Sequence, residues 1–269
     1  MKISIVTAYY NRKKLFEKTL KSISLSKIKD IEVIAVDDGS APEHRLESLV
    51  ENFPFLKIIR LERENRWYIN PCIPFNVGFK EASGEIIVIQ NPECFHSGDI
   101  LSHIIENMEE NDYYTYSTYA LNDNQTNALI MLNGDNIIGE SKKIVMPYNP
   151  RVFYQVGIAG WYNHSQHRPA AFHFCSAIYR TKMKELNGFD ERYSMGIAYD
   201  DDEFVVRIKR NKMNIKIIDD VTAYHQSHDK ACYNYPNAHQ LHEKNKDLLF
   251  NTTMKEDVVF VNDEPIIKK

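Results

Sequence analysis

One stretch, Glu32 to Ser40 (EVIAVDDGS), constrains the fold more than any other. A short run rich in Val and Ile, without polar alternation, reads as a strand buried on both faces, the central strand of a helix-covered sheet. It ends in two carboxylates, a glycine and a serine. Open α/β sheets bind ligands in the crevice above the carboxyl ends of their strands, and Asp37 and Asp38 stand at such an edge. Adjacent like charges are costly unless donors or cations face them. The same DDGS segment would also serve as a turn that caps the next helix, which leaves two readings open.

The flanking sequence keeps the same rhythm. Ile3 to Val6 predicts a strand, and Phe16, Leu20 and Ile23 place an apolar stripe on one helix face. Glu32 to Val36 is the second strand. Pro42 suits the first turn of a helix whose face is Leu46, Leu49, Val50 and Phe53. Leu56 to Leu61 and Glu85 to Gln90 are the third and fourth strands, with a shorter helix from Pro74 to Ser83 between them. Ser97 offers an N-cap to a helix carrying Ile100, Leu101, Ile104, Ile105 and Met108. This alternation predicts an α/β fold with a mainly parallel sheet flanked by helices. From Asn122 to His173 the periodicity fades and Asn, Gly, Pro, Tyr and His accumulate, as in an irregular functional insertion. Order returns with a strand at Phe174 to Tyr179, a short helix at Lys182 to Leu186 closed by Gly188, a helix at Asp200 to Arg210 and a strand at Ile215 to Ile218. The last twenty residues read as a tail with an edge strand at Val258 to Val261.

Charge and cysteine usage narrow the classes. A net charge of −4, with no Lys/Arg-rich run, argues against a nucleic-acid partner. Cys72, Cys94, Cys175 and Cys232 show no C-x-x-C spacing, so reduced thiols in a cytoplasmic setting are expected. MKISIVTAYYN enters a strand at once, without the regions of a signal peptide. No apolar run approaches the about 18 residues of a membrane helix.

Three further clusters carry potential chemistry. Asn91-Pro92-Glu93 closes the fourth strand, where Pro92 stops the strand and the Glu93 carboxylate and Asn91 carbonyl are ligands for a hard cation; an ordinary turn is the alternative. Asp200-Asp201-Asp202-Glu203 opens a helix. The helix N-terminus favours anions while their mutual repulsion raises at least one pKa, as a general base for a hydroxyl requires; a solvated acidic first turn is the alternative. His225 and His228, spaced H-x-x-H after a strand, would with Glu93 make a mixed O/N site for Mn²⁺, or be incidental.

In this order, VTAYYNR, VDDGS, the polar stop after the fourth strand, an acid run with D-x-x-x-R, and His, the chain resembles GT-A-fold glycosyltransferases, closest to the large inverting group called family two. From Asn187-Gly188-Phe189-Asp190 through DDDEFVVRI to HQSHDK it is also similar to the galactosyltransferase and polypeptide N-acetylgalactosaminyltransferase branches. The resemblance spans about Met1 to Lys230 and names no motif between Asn122 and His173. It implies one GT-A domain over 1–250, with a nucleotide-binding half (1–121), an acceptor and catalytic half (122–250) and a tail (251–269). It implies that Thr7, Tyr9, Asn11 and Asp37 or Asp38 hold the nucleoside, and that Arg66 and Asn76 contact the base or the diphosphate. Asn91-Pro92-Glu93 takes the place of the D-x-D motif for Mn²⁺ or Mg²⁺, with Asn replacing the first Asp and Glu93 keeping the last carboxylate. His225 or His228, the latter preferred, matches the downstream metal ligand. Asp201 matches the catalytic Asp of the E-D-x-D-L-x-x-R pattern, with Asp200 in place of the Glu, Asp202 beside it and Arg207 as the Arg.

The implied activity is inverting transfer of a hexose or N-acetylhexosamine from a UDP-sugar to a glycan or other hydroxyl acceptor, in polysaccharide or glycan biosynthesis. Trp161, Tyr162 and His164 would line an acceptor-stacking surface or a lid, or pack as core. A metal-independent transferase and a non-catalytic nucleotide-sugar- or glycan-binding module are the competing functions; the intact acid run argues against the second. A nucleotidyltransferase would carry a Gly-rich loop after the first strand, and Tyr9-Tyr10-Asn11-Arg12 has no glycine.

Overall fold

The structure is a computed structural model that describes residues 1–145, 159–229 and 234–263. Its first half is a parallel block in which β1 (Ile3–Tyr9), β2 (Ile31–Asp38), β3 (Leu56–Leu61) and β4 (Ile86–Gln90) lie in the order β3-β2-β1-β4. Strand alternation divides the core. Ile3 and Ile5 of β1 and Val33 and Ala35 of β2 face α1 (Lys13–Ser24), where Phe16, Leu20 and Ile23 cover them. Val6, Ile34 and Val36 face the other way, onto Phe75 and Phe79 of α2 (Cys72–Glu81). Gly78 permits that close approach, because a methyl group there would stand 2.4 Å from Val6 Cγ1.

The second half continues the sheet with β5 (Cys94–His96), α3 (Ile100–Asn107), β6 (Asp112–Ala120), α4 (Asp123–Met131), α5 (Ile137–Val145), β7 (Gly160–Asn163), β8 (Cys175–Tyr179), α6 (Arg180–Leu186), α7 (Asp200–Arg210), β9 (Asn214–His225) and α8 (Ala238–Leu248). The full order is β3-β2-β1-β4-β8-β6-β9-β5, with β7 on β6. β8 runs antiparallel between β4 and β6, and β6 is parallel to β9. Hence β1, β2, β3, β4, β6 and β9 all point one way, and their carboxyl ends, from Asp38 to His225, gather along one edge of the sheet. This is a mainly parallel α/β sheet flanked by helices, as the sequence predicts. Among the described residues no helix is long and apolar enough to cross a membrane.

Several elements differ from expectation. The helix predicted over Leu46–Phe53 is two 3₁₀ turns, Pro42–His44 and Glu47–Leu49, because Leu46, Leu49 and Phe53 reach the core without a full helix, while Val50 is exposed. The N-cap of α3 is Asp99, whose carboxylate accepts the Ser102 N–H at 3.2 Å, and not Ser97, which donates to Thr222. The segment 122–173 is not irregular throughout: it holds α4, α5 and β7, and α4 opens with Asn122 and Gln125 capping one another. Residues 146–158 of that segment, and Cys232, lie outside the described residues. β6 and α8 were not anticipated, β9 is three times the predicted strand, and Val258–Val261 forms no strand. Cys72, Cys94 and Cys175 are free and buried.

Candidate active site

Glu93 owes its position to the sheet. Pro92 ends β4, the turn closes through Cys94 N–H to Asn91 O (3.0 Å), and β5 then pairs Cys94 with His225 of β9. Gln226 N–H donates to Glu93 O at 3.1 Å, so the acid and the imidazole share neighbouring rungs of one ladder. The carboxylate is buried. Its Oε1 lies 3.0 Å from His225 Nε2 and 3.1 Å from His228 Nε2, and Arg12 Nη1 donates to Oε2 at 2.8 Å. Burial opposes ionisation of Glu93, but Arg12, then His228 and His225, outweigh it and hold the carboxyl well below its usual range. Burial pushes the His225 pKa down against the pull of Glu93, which leaves that imidazole neutral with a lone pair. The ligand atoms of Glu93, His225 and His228 all lie within 4.8 Å of one another. One carboxylate with two imidazoles is a mixed O/N donor set that fits a divalent transition ion such as Mn²⁺. Asn91 Nδ2 approaches Glu93 Oε1 at 3.4 Å.

The acid pair that ends β2 splits around the strand. Asp37 turns into the fold, accepting Ser40 N–H at 2.9 Å and Arg60 Nη1 at 2.8 Å. Asp38 turns to the crevice, where Tyr68 OH donates to it at 2.5 Å and Arg66 Nε lies 3.3 Å away. Burial raises the Asp38 pKa despite these partners. Asn11, in the left-handed region at φ 49°, ties the β1 end to this turn: its N–H donates to Ser40 Oγ and its Oδ1 accepts Ala41 N–H.

The acid run forms the first turn of α7. Asn70 Nδ2 donates to Asp200 Oδ1 at 2.8 Å, while Asn70 Oδ1 accepts Cys72 N–H at the start of α2. Asp201 is half-buried and its pKa lies well above the carboxylate range, first through desolvation and then through the charges of Asp200 and Asp202. Desolvation also raises Asp200 and Asp202. Two consecutive left-handed residues, Ala198 (φ 59°) and Tyr199 (φ 66°), lead into this turn. Such non-glycine conformations cost about 1–3 kcal/mol each. Arg207 is fully buried, clamping Glu203 and donating to the carbonyls of Leu186 and Gly188, so it braces the helix inside the fold.

One cavity of about 830 Å³ joins the three clusters. Asn11, Asp38, Arg66, Asn91, Glu93, Tyr162, Asp200, Asp201, His225 and His228 of the expected residues line it. Thr7, Tyr9, Asp37, Asn76, Trp161, His164 and Asp202 are not among its lining residues. Tyr9 is buried with its hydroxyl donating to His44 O, and Thr7 Oγ1 is buried without a hydrogen bond. Asn76 ties α2 to Phe189 and Glu191. Trp161 packs against Tyr119 and His164, whereas Tyr162 stacks on Phe174 (4.7 Å) and meets the His225 ring edge-on (4.8 Å).

Sequence reasoning missed Arg12, Arg63, Asn70 and His173 on the cavity wall. Arg12 was within reach, as the first basic residue after the first strand; Asn70 and His173 carry no local signal. Burial pushes His173 down to about 4, so it is neutral, with its ring between Phe75 and Phe189.

The sequence model of glycosyl transferase family 2 matches residues 4–179. The chain belongs to this family. A second model, the N-terminal domain of galactosyltransferase, matches residues 164–230, the part that carries the acid run and His225 and His228. Among curated relatives, the uncharacterized glycosyltransferase alr2836 of Nostoc sp. is 29% identical over 42% of this chain and 34% of its own length. The uncharacterized glycosyltransferase YwdF of Bacillus subtilis is 29% identical over 42% and 40%. This family 2 chain thus spans a third to two fifths of the curated relatives it matches. Solved structures share the GT-A fold. S. aureus TarS 1-349 in complex with UDP-GlcNAc has a TM-score of 0.59 at 17% identity, covering 86% of this chain and 60% of that one. The mannosyltransferase PcManGT of Pyrobaculum calidifontis, in complex with GDP-Man and Mn²⁺, has a TM-score of 0.55 at 15% identity, covering 85% and 58%.

Proposed function

We propose that this family 2 chain is a metal-dependent inverting glycosyltransferase. It takes a hexose or N-acetylhexosamine from a UDP-sugar and attaches it to a hydroxyl of a glycan acceptor. One observation carries the reading: a single cavity is lined by Asp38, by the Glu93–His225–His228 trio and by Asp201, whose pKa is raised. The nucleotide-sugar complexes of TarS and PcManGT, on the same fold, support the donor class.

Asp38, Asn11 and Arg66 hold the nucleoside end of the donor. Glu93, His225 and His228 would hold a divalent ion, which when bound would supply positive charge against the diphosphate leaving group. Asp201 takes the proton of the acceptor hydroxyl as that oxygen attacks the anomeric carbon from the face opposite the diphosphate; one bond forms, one breaks, and the configuration inverts. Asp200, fixed by Asn70, accepts a hydroxyl hydrogen bond from the sugar. On this reading 1–121 is the donor half, 122–250 the acceptor half and 251–269 a tail, and the free buried thiols suit a reducing cytoplasm.

A second reading rests on Arg12. Its guanidinium already sits on Glu93, so a fixed cation stands where a metal-independent transferase would need one. Release of nucleoside diphosphate from a panel of sugar nucleotides, with Mn²⁺ and then with excess EDTA, separates the two. Turnover of a UDP-sugar that EDTA abolishes, and that Glu93→Ala loses, supports metal dependence. Turnover indifferent to EDTA assigns the charge to Arg12, and no turnover with acceptor mixtures shifts the chain to a binding module.

A further inference from the structure

We infer that Asn245, on α8 and outside the cavity, is a positioning residue for the catalytic acids: it holds the left-handed turn at Ala198–Tyr199 that aims Asp200 and Asp201 into the cavity. The inference rests on the reading of Asp201 as the base.

Three observations meet at this helix. Among the residues of α8, Asn245 alone is buried, and it is fully so. A helix that encloses a polar amide, and no apolar side chain, is not docked chiefly by core packing. Its NH2 group is spent on this segment: Asn245 Nδ2 donates to Ala198 O at 2.8 Å and to Tyr193 O at 3.1 Å, while Oδ1 is buried without a hydrogen bond. One helical turn earlier, Ile197 N–H donates to Leu241 O at 3.1 Å, and the Tyr199 ring packs on His242 at 4.9 Å. Residues 241, 242 and 245 share one helix face, so α8 grips the segment at three successive points.

Gly196 shows how tightly the amide is seated. A methyl group at that position would stand 2.1 Å from Asn245 Oδ1, so a side chain there and Asn245 exclude one another. The held segment is also the one that resists its conformation. Ala198 and Tyr199 are both non-glycine residues at positive φ, and such strain persists only when surrounding bonds over-determine it. Released from Asn245, the pair relaxes toward negative φ, and the first turn of α7, which starts at the next residue, is no longer directed at the cavity. Because the turn leads directly into Asp200 and Asp201, the effect falls on turnover more than on donor affinity.

The test compares Asn245→Ala, Asn245→Asp and the double variant Asn245→Ala/Ala198→Gly. With the UDP-sugar that the wild type turns over, either single variant lowers kcat about tenfold to a hundredfold, as sub-ångström misplacement of reacting groups does, with the donor KM within about threefold. Glycine is unstrained at positive φ, so Ala198→Gly restores several-fold of the lost kcat in the Asn245→Ala background. Loss confined to melting temperature or KM, or a double variant no faster than the single one, overturns the inference. Crystal structures of the two single variants decide the same question without any activity, even if no donor is turned over. Ala198 and Tyr199 leaving the left-handed region supports the clamp; both remaining there with Asp201 unmoved sinks it.

Discussion

Two runs of adjacent aspartates serve this molecule in opposite ways. Asp37 and Asp38 are the last two residues of a strand, so they project to opposite sides: one meets Arg60 within the fold and the other meets Tyr68 and Arg66 at the crevice. Each charge has a cation or a donor. Asp200, Asp201 and Asp202 open a helix, where consecutive residues fan around one end and share one electrostatic neighbourhood. Their only direct side-chain donor from elsewhere, among the bonds described, is the neutral Asn70 amide. On the proposed function, the same residue type serves recognition at Asp38, where a guanidinium faces it, and accepts a proton at Asp201, where burial and like charge raise its pKa. Backbone geometry decides which of the two a doublet becomes.

That contrast can be broken by substitution. The largest effect is expected from Asp201→Asn, which keeps the shape and removes the base. kcat should fall by about 10³-fold while the dissociation constant for UDP, measured by calorimetry, stays within a few-fold; near-normal kcat would remove Asp201 from the mechanism. Asp38→Asn should give the mirror image, a donor KM raised about tenfold with kcat within about threefold, because a charge-assisted contact is lost far from the reacting atoms. Equal losses in both parameters would erase the division of labour. The smallest effect is expected from Asp202→Asn and concerns pH. The base is active only when ionised, so kcat falls as pH drops through the raised Asp201 pKa. The Asp202 charge contributes to that rise, so removing it lowers the pKa and moves the acid limb of the pH–rate profile to lower pH. A limb that stays put or moves up would show that Asp202 does not tune its neighbour.

Much of this was legible in the chain. The strands around Val33–Val36 and Ile86–Gln90 announced themselves because central parallel strands are apolar on both faces, and the acids at their ends then marked the crevice. β6 was silent for the converse reason. Its sequence DYYTYSTYA is wholly buried yet hydroxyl-rich, so it lacks an apolar signature although Tyr and Thr favour strands. β9 was cut short in the reading at Asp219 and Asp220, where a register shift against β6 lets polar residues pass without ending the strand. In the site, residue types at strand ends could be read, but not which of two neighbours faces inward. Arg12 on Glu93 and Asn70 on Asp200 join positions 81 and 130 residues apart, and nothing local in the sequence encodes such pairs.

The rung that joins Glu93 to β9 has a consequence for how the protein is made. Gln226 donates to Glu93 across 133 positions of chain, so the carboxylate has its imidazole partners only after the chain has been synthesised through His228 and β9 has docked. Of the Arg and His partners of Glu93 among the described residues, Arg12 is the one that the first half of the chain supplies. A slip of one residue in the β5–β9 pairing would also turn His225 to the opposite side of the sheet. Joining of Glu93 to His225 and His228 thus waits for β9, and affinity for a divalent ion would report whether that strand has found its register.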